Sequence, residues 1–158
     1  MALTEKLERN LDLKSVYMEI SIKHRYTLGV GGEKFFRALK DEGKILASRC
    51  PECDSWFLPP SIFCEQCFAK MEEWKDVGLS ALVVSFTVAH LGLDGKRLKE
   101  PVVYALLGWP GVEGGLIHKL GEVKPEEVYV GMKVKAKLAA VKARKGLLTD
   151  IIHFAPEK

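Results

Sequence analysis

The hydrophobic positions change period along the chain, and each change marks a different kind of element. Leu3, Leu7 and Leu11 recur every four residues among charges, which predicts a short amphipathic helix. From Val16 the period falls to two. Val16, Met18, Ile20 and Ile22 alternate with Tyr17, Glu19, Ser21 and Lys23, as in a strand with one buried face. Gly29, Gly31 and Gly32 then interrupt the pattern; they fit neither G-x-G-x-x-G nor G-x-x-x-x-G-K-[ST], so a hinge before a helix is expected rather than a phosphate loop. That helix is predicted over residues 33–41. It has Glu33 in its first turn, Lys40 in its last, Phe35, Phe36 and Leu39 on one side, and Gly43 as its stop.

A short strand over 45–49 leads into Cys50-Pro51-Glu52-Cys53, and Trp56-Phe57-Leu58 leads out before Pro59-Pro60 turns the chain. Cys64-Glu65-Gln66-Cys67 follows. Two thiol pairs at this spacing can wrap a tetrahedral ion, and the four cysteines are the only ones in the chain. Two disulfides would need an oxidising compartment, whereas the first residues carry acids where a secretory signal would be basic and then apolar. The expected ligand set is Cys50, Cys53, Cys64 and Cys67. Iron also accepts four thiolates, as in rubredoxin, but Asp54 stands where such knuckles favour glycine, and structural Zn²⁺ is the expected ion. So small a ribbon needs its metal to fold.

From Gly78 onward the chain becomes a series of Val-, Leu-, Ala- and Thr-rich runs, predicted as strands near 80–90, 102–109, 115–121, 132–142 and 147–154. Lys124-Pro125-Glu126-Glu127-Val128 carries the only helical signal among them. Five strands with a helical turn between the third and fourth is the order of an OB-fold. The expected fold class is therefore mainly β with short N-terminal helices, a rubredoxin-like zinc ribbon and then a five-stranded OB-fold barrel. The expected divisions are 1–44 for the N-terminal extension, 45–77 for the ribbon and 78–158 for the barrel.

Composition narrows the class. With 158 residues, 47% of them hydrophobic and 28% charged, the chain is globular, and it has no apolar run approaching the roughly 18 residues of a membrane span. A cytoplasmic location is expected. The net charge of +3 is unevenly placed: residues 1–77 hold 12 Lys and Arg against 13 Asp and Glu, and the remainder hold 12 against 8. Lys133, Lys135 and Lys137 fall on one face of the fourth barrel strand, with Lys142, Arg144 and Lys145 following. Such a strip suits a solvated face, the phosphates of a ligand, an acidic partner or nucleic acid.

Phe35-Phe36 on a helix, Gly43-Lys44-Ile45-Leu46, both knuckles, Pro59-Pro60, Val84-Ser85-Phe86-Thr87-Val88 and Gly131-Met132 together resemble the DUF35 family of zinc-ribbon/OB-fold proteins. The resemblance spans roughly residues 33–155. It implies a protein associated with acyl-CoA enzymes, accompanying thiolases, archaeal HMG-CoA synthase or steroid-degrading aldolases and hydratases as a non-catalytic subunit that bridges them or helps enclose the CoA thioester. The residues agree with an accessory role. Thiolase chemistry needs a cysteine nucleophile with a base, and every cysteine here is committed to metal. His24, His90, His118 and His153 are scattered, with no spacing that makes a triad visible.

An acyl-CoA ligand wants cations at the mouth of its site and a narrow channel behind. The residues expected to form the channel are Phe35, Phe36, Trp56, Ser85, Thr87 and His90; those expected at the mouth are Lys96 and Arg97 or the Lys133 to Lys137 strip. The same aromatics could instead close the seam between two small domains. The rival reading is a single-stranded nucleic-acid groove. It is the weaker one, because exposed stacking aromatics on the middle strands are confined to Tyr104, with Trp109 at a strand end.

Overall fold

The computed structural model describes residues 27–92 and 94–157. The helix expected over 3–11, the strand expected over 16–22 and His24 lie outside them.

Helix α1 spans Gly29–Asp41 and starts earlier than the sequence suggested. The glycine cluster is its first turn and not a hinge. Gly31 is buried there because a β-carbon would stand 3.3 Å from the carbonyl of Pro60, so glycine lets the helix approach the chain after the ribbon's second strand. The earlier start also leaves no acid in the first turn, while Lys40 does sit in the last. Phe35, Ala38 and Leu39 form the buried stripe, and Phe36 packs edge-on to Phe35 with ring centres 5.2 Å apart. Beyond Asp41, Gly43 takes φ +70° and the Lys44 amide returns to the Ala38 carbonyl at 3.2 Å, which ends the helix.

Nine strands follow: β1 Leu46–Cys50, β2 Ser55–Leu58, β3 Glu73–Asp76, β4 Ser80–Leu91, β5 Arg97–Gly108, β6 Glu113–Gly114, β7 Leu116–Lys119, β8 Lys133–Leu138 and β9 Ile151–Pro156. The ribbon sheet has the order β3-β1-β2-β6, in which β1 is antiparallel to both neighbours and β2 is parallel to β6. The barrel sheet has the order β7-β5-β4-β8-β9 and is antiparallel throughout. A parallel bridge between Leu120 and Phe154, with the Gly121 amide on the Phe154 carbonyl at 2.8 Å, brings β9 back to the end of β7 and closes the barrel. The turn Pro125–Glu127 is 3₁₀ and lies between the third and fourth barrel strands, as expected.

Two predicted strands are shorter at the ends that face each other. The fourth stops at Leu138 and the fifth begins at Ile151, because the connection is wound around the buried carboxylate of Asp150. That carboxylate accepts the amides of Lys145 at 2.9 Å, Gly146 at 2.7 Å and Leu147 at 3.3 Å. Apolar spacing gave no sign of it.

One hydrophobic core runs through helix, ribbon and barrel. Leu39, Ile45 and Leu58 are buried in the same cluster as Leu107, Val134, Ile151 and Phe154. A second, small cluster of Cys50, Cys64 and Met71 fills the tip of the ribbon. Among the described residues no helix is long and apolar enough to cross a membrane.

Candidate metal centre

The β1–β2 hairpin carries the first knuckle at its turn. Asp54, directly after it, adopts φ +52°, the conformation that favours glycine. Arg49 holds it there, with Nε 3.1 Å from Asp54 Oδ1 and Nη1 2.8 Å from Glu73 Oε2 on β3. The second knuckle closes in the same way: Phe68 takes φ +62° and its amide reaches the Cys64 carbonyl at 3.0 Å. Backbone amides also point at sulfur, from Cys53 to Cys50 Sγ at 3.3 Å and from Gln66 to Cys64 Sγ at 3.4 Å. Behind the site Ser48 is fully buried; its hydroxyl accepts the Ser61 amide at 3.1 Å and faces Met71 Sδ at 4.0 Å.

All four sulfurs lie within 4.8 Å of one another, with Cys50 to Cys67 at 3.4 Å and Cys53 to Cys64 at 3.8 Å. A tetrahedron with metal–sulfur bonds of about 2.3 Å has edges of about 3.8 Å. The residues fit the ion. The thiols also compete for protons: hydrogen bonds to Cys67 and Cys50 push Cys53 up to about 12, while the Cys67 amide draws Cys64 down to about 7. A divalent cation resolves that competition by favouring four thiolates. The result is a closed structural site with no open coordination position.

The two domain models that match this chain describe the same two parts. Residues 37–72 match the ChsH2 rubredoxin-like zinc ribbon domain, and residues 74–139 match the ChsH2 C-terminal OB-fold domain. A solved DUF35 protein of unknown function from Sulfolobus solfataricus is 32% identical, with 82% of this chain and 87% of that one covered and a TM-score of 0.62. The chain belongs to the DUF35 family. A DUF35 domain-containing scaffold protein of Methanocaldococcus jannaschii is 28% identical over 126 residues, covering 77% of this chain and 87% of its own. The structure described as the Ltp2-ChsH2(DUF35) aldolase shares the fold with this DUF35 chain at a TM-score of 0.61 and 23% identity, covering 84% and 98% of the two chains.

The candidate ligand residues of this DUF35 protein are distributed over several surfaces. Phe35 is in the core. Trp56 lies on β2 with the Lys75 ammonium 4.1 Å above its ring, and Ser85, Thr87 and His90 are exposed on β4. Lys96 and Arg97 sit at the β4–β5 turn, where Lys96 pairs with Asp94 at 3.2 Å. Phe36 lines a cleft of about 270 Å³ on α1, with Glu33, Arg37, Lys40, Asp41 and, from the loop before β9, Lys145, while Lys133 lines a separate, smaller cavity beside Ser80 and Pro110. Lys145 entered the sequence reading only as part of a basic run, since nothing in the sequence reveals that its loop docks on α1.

Two of the three lysines of the strip stand near carboxylates. Lys135 faces Glu157 and Lys137 faces Glu122, both at 4.0 Å. Trp109 is buried and donates its indole N–H to the Gly78 carbonyl at 3.0 Å, so it offers no stacking surface. Tyr104 is 43% exposed beside Ile117 and is the one aromatic of the predicted nucleic-acid groove that remains accessible. His118 packs against Phe154 at 5.7 Å, and burial lowers its pKa; His153 contacts Glu122 at 3.1 Å.

Proposed function

We propose that this DUF35 chain is a non-catalytic scaffold subunit that partners a thiolase-like acyl-CoA enzyme and contributes to holding the CoA thioester, with Zn²⁺ as the structural ion of its ribbon. One observation carries the reading. The four thiols form a closed metal site, which leaves no cysteine as an acyl-accepting nucleophile, and the site is tied into a core that fixes helix, ribbon and barrel relative to one another. Such a unit presents several rigid surfaces at set angles, as a scaffold must.

Two further facts support it. The archaeal relative is named a scaffold protein, and the structural neighbour joins Ltp2 to a DUF35 chain under the name of an aldolase. The cleft beside Phe36 offers an aromatic wall for part of a nucleotide, with Lys40 and Lys145 as cations against Asp41, and Arg37 paired with Glu33. It joins the Lys96–Arg97 turn and the Lys133 to Lys137 strip as a candidate seat of the CoA phosphates.

The test has two parts. Affinity purification of the native protein should bring down an acyl-CoA enzyme; recovery with ribosomes or polymerase would overturn the reading. Calorimetry with acetyl-CoA and dephospho-CoA, on the protein alone and with that enzyme, should show dephospho-CoA weaker by about 1–3 kcal/mol. Equal affinities, or no binding in either setting, would restrict the chain to bridging.

A further inference from the structure

The outer half of the β4–β5 hairpin leaves the barrel. β4 pairs with β8 only through Ser80, Ala81 and Leu82, but stays paired with β5 as far as Leu91. The last contacts on its other edge are those of Val83 with Met132 and Gly131. Beyond Val83, among the described residues, nothing pairs with that edge.

Which groups face outward there follows from one extra residue. Val83 stands opposite Leu107 but Ser85 stands opposite Leu106, so Val84 is a bulge, and a second irregularity falls between Ala89 and Leu91. Before the bulge, Val83 buries its side chain and turns its N–H and C=O toward β8. After it the alternation is reversed. Phe86 lies opposite buried Ala105 and Val88 opposite buried Val103, so these two now share the sheet face of those partners, Val88 partly buried and Phe86 still exposed, and their N–H and C=O groups point to the unpaired edge. Thr87, opposite Tyr104, turns its own toward β5.

Solvent-exposed edges are normally blunted by charged side chains or proline. Residues 84–91 are Val-Ser-Phe-Thr-Val-Ala-His-Leu, with neither proline nor a carboxylate, lysine or arginine, and Ser85, Phe86 and Thr87 are exposed. The edge is self-complementary in one register. A two-fold axis at Thr87 pairs Phe86 with Val88 twice and Ser85 with Ala89 twice, all within the regular stretch between the two irregularities. An axis at Phe86 would draw the Val84 bulge into the ladder, and one at Val88 would draw in His90 beside the second irregularity.

We propose that this edge is a self-association surface, on which β4 of a second copy of the chain pairs antiparallel about Thr87. Each Phe86–Val88 pair exchanges two backbone hydrogen bonds, and Thr87 faces Thr87 in the close, non-hydrogen-bonded position. Aromatic against β-branched pairing on one face is favourable, and no like charges meet. Two exposed residues beside the edge extend the contact: Tyr129 and Val130, 61% and 64% exposed, stand where the Gly131 amide bonds the Val83 carbonyl. Leu91 of the second copy, itself 61% exposed, reaches that end of the pairing.

Sedimentation velocity on the full, metal-loaded chain should show reversible dimerisation in the micromolar range. Thr87→Lys, which sets two ammonium groups against each other, should weaken it by about tenfold or more. Thr87→Cys should form an intermolecular disulfide between the two Cα atoms about 4.5 Å apart, mapped by mass spectrometry of the joined peptide, while Ile117→Cys on β7 should not. A chain that stays monomeric, a dimer indifferent to Thr87→Lys, or Thr87→Cys that does not cross-link would each overturn the proposal. Slow amide exchange at Phe86 and Val88 in a monomer would assign the edge to residues 1–26 instead, and overturn it equally.

Discussion

The amide of Gly115 donates to the carbonyl of Leu58 at 2.7 Å, and this bond joins the metal ribbon to the barrel. The approach is possible because the neighbour, Gly114, has φ +81° and no side chain; a β-carbon there would stand 2.3 Å from the same Leu58 oxygen. Gly114→Ala should therefore cost about 1–3 kcal/mol from backbone strain, with the clash adding to it. Urea denaturation measures the change. A loss below about 0.5 kcal/mol would mean that β2 and β6 are not held together in solution.

Removing one ligand should empty the metal site. Cys50→Ser and Cys64→Ser each take a buried thiolate from the closed set, and both should lose stoichiometric zinc by atomic absorption together with the ribbon's structure. The barrel should stay folded with a lowered melting temperature, since most of its core lies outside the ribbon. Full metal content in both variants would show that the ligand set is different.

Asp150 should make stability depend on acid. Burial alone would raise its carboxyl, but the amides of Lys145, Gly146 and Leu147 outweigh that and hold it below the ordinary value. A carboxyl lowered in the folded state contributes fully above its unfolded value of about 3.9 and less as pH falls through the folded one. Asp150→Asn should cost about 1–3 kcal/mol at neutral pH, with the difference from wild type shrinking below about pH 4. A constant difference across that range, measured by thermal melts, would remove the carboxylate from the explanation.

The two adjacent phenylalanines should separate on mutation. Phe35 is 4% exposed, so Phe35→Ala should destabilise the chain by about 3–5 kcal/mol in urea. Phe36 is half-buried on the wall of the α1 cleft, and Phe36→Ala should act mainly on acyl-CoA affinity in calorimetry. Equal stability losses would place both in the core and leave the cleft without a role.

The sequence showed most clearly what depends on local spacing. Cysteine pairs with two residues between them declared the metal site, and alternating residues located the barrel strands in their correct order. What it hid depends on contacts between distant segments. Gly29, Gly31 and Gly32 read as a break because glycine is a poor helix former, and only the nearness of Pro60 explains a buried Gly31 in a helix. β6 is two residues long and exists only through its parallel pairing with β2, so it has no period to detect. Likewise, the strand expected from residue 147 gives way to a turn whose organiser, Asp150, looks like any surface carboxylate until its three amide donors are seen.

The core shared by Leu39, Ile45, Leu58 and Phe154 links the chain's lifetime to its metal supply. A ligand that binds only the folded form stabilises it by mass action, and here that gain passes from the ribbon into segments that touch no sulfur. When zinc is scarce, part of the population should open not only at the knuckles but also where α1 and β2 rest on the barrel, and opened chains are substrates for proteolysis. The abundance of the protein, and with it the number of assemblies it can organise, would then follow the availability of zinc.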